Sequence, residues 1–205
     1  MENGSSYKET MTYDHKITDL IYSIDGLIPK KVCDFFIGIV EKYPEYLGKE
    51  ESYKFPDNEI KEDNFTCLNL SRLDHSNKDI HQAYKAAQHY LNIMITNYVN
   101  HLRTKRICPT YEDRYIKRTD NIRILKYEVG QSIKDHTDID KGIRASCSLN
   151  LNEDYEGGEF RFFNGEIRKS FKTGDAMIFP AEPIWIHGTE PVIKGTRYVI
   201  NCFLK

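Results

Sequence analysis

The feature that most constrains this chain is a change of texture at Asn121. From there the sequence breaks into short β-rich runs, NIRILKYEV, IRASCSLNL, GEFRFF, EIRKSF, DAMIFP, IWIHG and TRYVINCFL, separated by glycine, aspartate and asparagine. Short strands following helices predict a sandwich or barrel with the helices flanking one side. Two helices stand upstream. Pro29 is placed to open the first, PKKVCDFFIGIVEKY, in which Val32, Phe35, Phe36, Ile39 and Val40 share one face and Pro44 ends the run. Ser76 can cap the second, DIHQAYKAAQHYLNIMITNYVNHL, where Ile80, Tyr84, Ala87, Leu91, Ile95 and Tyr98 recur at helical spacing. Before them, ITDLIYSIDGLI has the alternation of a strand ending at Pro29. Residues 47–69 are charged, aromatic and Pro-broken, and predict a loop or lid of no definite shape. RTKRICPTYEDRYIKRTD is a basic connector.

Composition excludes several classes. With 40% hydrophobic and 29% charged residues, 205 residues suffice for one domain with a sizeable core, which removes disordered and collagen-like chains. A net charge of −2 gives no overall pull toward nucleic acid or an acidic membrane. In the connector, Lys105, Arg106, Arg114, Lys117 and Arg118 alternate with Tyr111 and Tyr115, but Glu112, Asp113 and Asp120 dilute the patch, so a solvated face is favoured over nucleic-acid binding. Cys33, Cys67, Cys108, Cys147 and Cys202 are odd in number and form no CxxC pair, which argues for a reducing compartment. The polar N-terminus and the lack of a bilayer-length apolar run lead to the expectation of a soluble, cytoplasmic protein without membrane partners.

The chemistry is carried by three donors. His136 and Asp138 are two residues apart, so extended backbone points both to one face, and His187 lies on a separate run beside a Gly-containing turn. Two histidines and one carboxylate on one face of an octahedron leave three positions open, the pattern of non-haem Fe(II) oxygenases. Arg197, inside the apolar run TRYVINCFL, is costly to bury unless an anion meets it, and its planar fork suits a carboxylate such as the C5 end of an iron-chelating 2-oxoglutarate. Plainer alternatives stand beside these: an accidental HxD, an edge-strand arginine, and isolated surface or satisfied histidines at His15, His75, His81, His89 and His101.

The segments YEVGQSIKDHTD, LNEDYEGGEFRFF, GDAMIFP and IHGTEPVIKGTRYVINCFL, in that order, resemble the prolyl 4-hydroxylase branch of the 2-oxoglutarate and Fe(II) dependent dioxygenase superfamily, with DGLIPKKVCDFF similar to that branch's opening strand and helix. The resemblance implies an α+β fold: a double-stranded β-helix (jelly-roll, cupin-like) core at 121–205, with strand and supporting helices at 16–105 packed on one sheet and a flexible lead-in at 1–15. It implies Fe(II) on His136, Asp138 and His187, 2-oxoglutarate on Arg197, Tyr127 and Asn150, O2 as co-substrate and ascorbate as an accompanying reductant. It further implies hydroxylation of a prolyl residue in a protein or peptide, or of a free amino acid or other small molecule. A nucleic-acid demethylase is disfavoured, since that group carries a further arginine where YVINCFLK stands. A jelly-roll binding module is the non-enzymatic alternative. For Tyr127 core packing stays open, and for Asn150 a structural role is the favoured alternative. Trp185 either walls the metal pocket or belongs to the core, and Gly157 and Gly158 read as a tight turn.

Overall fold

Buried side chains fix the two helices against one face of a sheet. The computed structural model describes residues 16–54, 59–105, 107, 116, 118–139 and 142–205. The expected lead-in at 1–15 and most of the connector, with Cys108, Tyr111 and Tyr115, lie outside them. The stretch expected as one long strand before Pro29 is instead a 3-10 turn at Ile17–Leu20 and a short strand β1 (Tyr22–Ile24). Two local devices break it. Asp19 accepts from the Lys16 amide at 3.0 Å, and Gly26 turns the chain at a φ of 59° while its amide donates to Asp175.

Helix α1 (Lys30–Lys42) starts after Pro29 and buries Cys33, Phe36, Ile39 and Val40. The segment with no expected shape contains β2 (Leu47–Gly48), a hairpin of β3 (Glu51–Lys54) and β4 (Glu59–Glu62), and β5 (Thr66–Asn69). Helix α2 (Lys78–Thr104) is capped one residue later than expected: Asn77 accepts from the Asp79 and Ile80 amides, because Ser76 is already engaged with Asp74. Its buried stripe runs Ile80, Ala83, Ala87, Leu91, Met94, Tyr98 and Leu102. No helix among the described residues is long and apolar enough to cross a membrane.

The remaining strands are β6 (Thr119–Tyr127), β7 (Ala145–Asn150), β8 (Glu156–Gly157), β9 (Phe160–Phe162), β10 (Ile167–Lys169), β11 (Ala176–Pro180), β12 (His187–Thr189), β13 (Val192–Lys194) and β14 (Arg197–Leu204). The large antiparallel sheet runs β1-β11-β7-β14-β6-β5-β2; β10-β9-β12 and β13-β8 form smaller ladders, completing a double-stranded β-helix. Every residue of β7 is buried, because the sheet is covered on both faces. Alternation then assigns the faces. Cys147 and Leu149 of β7, Ile122 and Ile124 of β6, and Ile200, Cys202 and Leu204 of β14 pack with the helices in one cluster. Residues of opposite parity, Arg123, Leu125 and Tyr127 on β6, Ser148 on β7, and Arg197, Val199 and Asn201 on β14, line a cavity. Cys33, Cys67, Cys147 and Cys202 are free thiols, all buried.

Candidate metal and co-substrate site

His136 and His187 are brought together by the backbone before any side chain is considered. Their amides and carbonyls exchange two hydrogen bonds of 2.9 Å, and Thr189 binds Ile133 through both its amide and its hydroxyl, so the 133–136 segment lies against β12 like a further strand. Gly188 is required by this approach rather than by a turn, since a Cβ there would stand 2.7 Å from Asp135 Oδ1 and 2.9 Å from the Ile133 carbonyl oxygen. The side chain of Arg161, the register partner of Gly188, bonds Asp135 at 3.0 Å and Glu190 at 3.1 Å, pinning both segments.

The three donors converge. His136 Nε2 is 3.3 Å from Asp138 Oδ1, His187 Nε2 is 3.3 Å from Asp138 Oδ2, and the donor atoms of all three lie within 4.8 Å of one another. Metal–ligand bonds of about 2.1 Å at right angles separate donors by about 3 Å, so this spacing suits one ion. Each imidazole bonds a backbone carbonyl through Nδ1, His136 to Lys134 at 2.8 Å and His187 to Trp185 at 2.9 Å. That assigns the proton to Nδ1 and leaves Nε2 as a lone-pair donor. Ser146 donates to Asp138 Oδ2, and the Phe160 ring stacks on His187 with centroids 5.4 Å apart. Burial alone would raise the Asp138 carboxyl, yet the imidazoles against it hold it well below the usual carboxylate range. Burial pushes His187 down, and the Asp138 carboxylate more than reverses this.

Arg197 opens β14, an interior strand between β7 and β6, which removes the edge-strand alternative. It is 2% exposed, it lines the same cavity as the three donors, and its Nε has no hydrogen-bond partner. No carboxylate among the described residues pairs with it. A buried guanidinium left this way is costly unless a ligand completes it. Tyr127, its register partner, also lines the cavity; its ring centroid is 5.3 Å from the guanidinium carbon and 4.7 Å from the Phe65 ring. Burial raises the Tyr127 hydroxyl far enough that it stays protonated and able to donate.

Asn150 does not join the cavity. Its amide donates to the carbonyls of Asn152 at 2.6 Å and Lys172 at 3.1 Å, and its oxygen accepts from Tyr155, so its capacity is spent fixing the loops at the end of β7. Trp185 packs with Phe162 and Phe163 in the core and does not line the cavity. Gly157 and Gly158 do not form a hairpin turn: Gly157 pairs with Val192 in β8, and both have positive φ. A Cβ on Gly158 would stand 3.1 Å from Arg197 Cδ. Gly158→Ala is therefore expected to displace the Arg197 side chain and, at a φ of 70°, to strain the backbone; if Arg197 holds the co-substrate carboxylate, 2-oxoglutarate binding weakens several-fold with metal affinity little changed, which titration of each ligand separately tests.

Sequence patterns did not reveal Ser146, Phe160, Arg123 or Glu50. Arg123 shares the parity of Tyr127 within NIRILKYEV, and that was a usable signal. Glu50 had none, because it arrives from the unassigned 47–69 segment.

The fold and donor set together define a jelly-roll protein built around a two-histidine, one-carboxylate centre. Residues 122–205 match the family model of the 2OG-Fe(II) oxygenase superfamily. A PKHD-type hydroxylase of Synechococcus sp. (strain JA-2-3B'a(2-13)) is 33% identical over 94 residues, 40% of this chain and 41% of the relative; one from Gloeothece citriformis (strain PCC 7424) is 30% identical over 95 residues, again 40% of this chain and 41% of the relative. The matches thus span about two fifths of those relatives' length. Among solved structures, a Trichoplax adhaerens prolyl hydroxylase in complex with a hypoxia inducible factor oxygen degradation domain peptide fragment aligns with a TM-score of 0.65 at 12% identity, covering 91% of this chain and 84% of that one. A Pseudomonas putida prolyl-4-hydroxylase aligns at 0.62 and 13%, covering 92% and 96%. Residues 122–205 are thus similar to the 2OG-Fe(II) oxygenase superfamily, and the fold is like that of the prolyl hydroxylase structures.

Proposed function

We propose that this chain is an Fe(II) and 2-oxoglutarate dependent dioxygenase that hydroxylates a C–H bond of a prolyl residue in a protein or peptide. One observation carries the reading: a buried Arg197, its Nε without a hydrogen-bond partner, shares a cavity of about 560 Å³ with three convergent metal donors. That volume falls within the usual range for small-molecule sites. His136, Asp138 and His187 would hold the iron, and Arg197 the distal carboxylate of 2-oxoglutarate, with Tyr127 donating its hydroxyl nearby. Bound there, iron and 2-oxoglutarate together supply, with O2, oxidation of a substrate C–H bond coupled to decarboxylation of 2-oxoglutarate to succinate and CO2.

The residues orient and shield rather than transfer protons. The Nδ1 bonds to Lys134 and Trp185 aim both imidazoles, Ser146 holds the carboxylate, and Phe160 with Phe179 flanks His187 and excludes water from that side. The peptide-bound neighbour supports a peptidyl substrate, and the PKHD-type relatives support the reaction class. Anaerobic titration of the metal-free protein with Fe(II) and 2-oxoglutarate is expected to produce the weak visible charge-transfer band of a 2-oxoglutarate–iron chelate. No band from folded protein at saturating ligand would sink the dioxygenase reading and leave a jelly-roll binding module.

A further inference from the structure

Part of the cavity wall is polar in a way that neither the metal donors nor Arg197 explains. Arg123 and Asn201 face each other across β6 and β14 on the cavity side, and the Arg123 guanidinium bonds both Asn201 and Glu50 while lying 4.7 Å from the Phe203 ring centroid. Glu50 also accepts from Asn69 at 3.3 Å. The Arg123 side chain is 12% exposed and its Nε is enclosed without a partner. An ion pair desolvated to this degree contributes little to stability, and apolar residues would pack as well beside Leu125, Val199 and Phe203. A pair retained there, with one N–H unsatisfied, points to a ligand.

We propose that Arg123 and Glu50 bind the polar end of the prime substrate, the guanidinium donating to a carbonyl or carboxylate oxygen and the carboxylate accepting from a neighbouring N–H. Adjacent acceptor and donor are what an α-amino-acid unit presents, whether free or within an amide-linked chain. Ile139, Ile143 and Phe160 supply apolar wall in the same cavity for the aliphatic part that is oxidised. The assignment rests on the dioxygenase reading and makes Arg123 and Glu50 determinants of specificity rather than of co-substrate binding.

The test uses protein loaded with Zn(II) and 2-oxoglutarate, which binds without turnover, screened by saturation-transfer NMR against free amino acids and their N-acetyl amides. Hits are then assayed for stimulation of succinate formation with Fe(II). At least one probe is expected to bind, with its dissociation constant raised tenfold or more by Arg123→Met, by less in Arg123→Lys, and several-fold by Glu50→Gln. The 2-oxoglutarate constant should move far less, and the kinetic loss should fall in KM. Binding of the free forms alone supports recognition of carboxylate and ammonium; binding of the amides alone supports recognition of peptide main chain. No hit while the chelate forms normally overturns the proposal and spares the dioxygenase reading. So does an equal loss of probe affinity, 2-oxoglutarate affinity and melting temperature in both Arg123 variants, the signature of a structural pair. A parent that binds no 2-oxoglutarate fails at the earlier step and removes both.

Discussion

Asp138→Ala is expected to lose metal-dependent behaviour altogether. Asp138 is the anionic donor of the cluster and the group on which both imidazole Nε2 atoms converge, at 3.3 Å each. Without it only two histidines remain. Since altering a residue that merely supports a ligand costs 10–100-fold in affinity, removal of the anionic ligand itself should cost more than about 100-fold. Two measurements separate this from misfolding. The parent should gain roughly 2.7 kcal/mol of stability when metal is present at 100 times its dissociation constant, and the variant should gain none. The metal-free variant should still melt cooperatively, because the helix-packed core lies on the other face of the sheet. A variant that retained a metal-dependent melting shift would show that the ion sits elsewhere.

Arg197→Met should separate stability from binding in opposite directions. Breaking a buried charge contact with an anion costs about 2–5 kcal/mol, or roughly 30-fold to several-thousand-fold in 2-oxoglutarate affinity. In the absence of ligand the same change removes a buried guanidinium whose Nε is unsatisfied, and an apolar side chain of similar length is often neutral or stabilising at such a site. The expected outcome is an unchanged or higher melting temperature for the ligand-free protein together with a 2-oxoglutarate requirement raised at least 30-fold. Arg197→Lys should fall between, keeping the charge and losing the fork. Loss of melting temperature without loss of 2-oxoglutarate affinity would make Arg197 a structural residue.

Much of the architecture was legible because it depends on periodicity. The stripe of α2 and the β-rich runs after Asn121 are local patterns, and they hold. The errors are equally physical. Ser76 and Asn77 are both good caps, and the sequence does not show that Asp74 will engage Ser76 first. Asn150 lies on the cavity-facing parity of β7, yet its amide is drawn to loop carbonyls that only the fold brings near. Glycine was misread twice for one reason: at Gly188 and Gly158 the missing Cβ admits a neighbouring chain or side chain rather than a turn. The 47–69 segment was illegible because Glu50, Asp63 and Phe65 take their places by tertiary contact with the cavity, not by local pattern.

The alternation of β6 from Arg123 to Tyr127 and of β14 from Arg197 to Asn201 makes the large sheet a partition between two layers. Exchanges at Leu125, Val199 or Asn201 touch the cavity and leave the helix-packed side intact, so substrate preference can drift by point substitution, at a folding cost confined to the smaller cluster in which Leu125 and Val199 are buried. A one-residue insertion or deletion in either strand has the reverse character. It would turn Arg197 or Arg123 into the helical core and Ile200 or Ile124 into the cavity, losing stability and chemistry in a single step. Lineages built on this scaffold should therefore diversify by exchange within these two strands and confine length changes to the loops that join them.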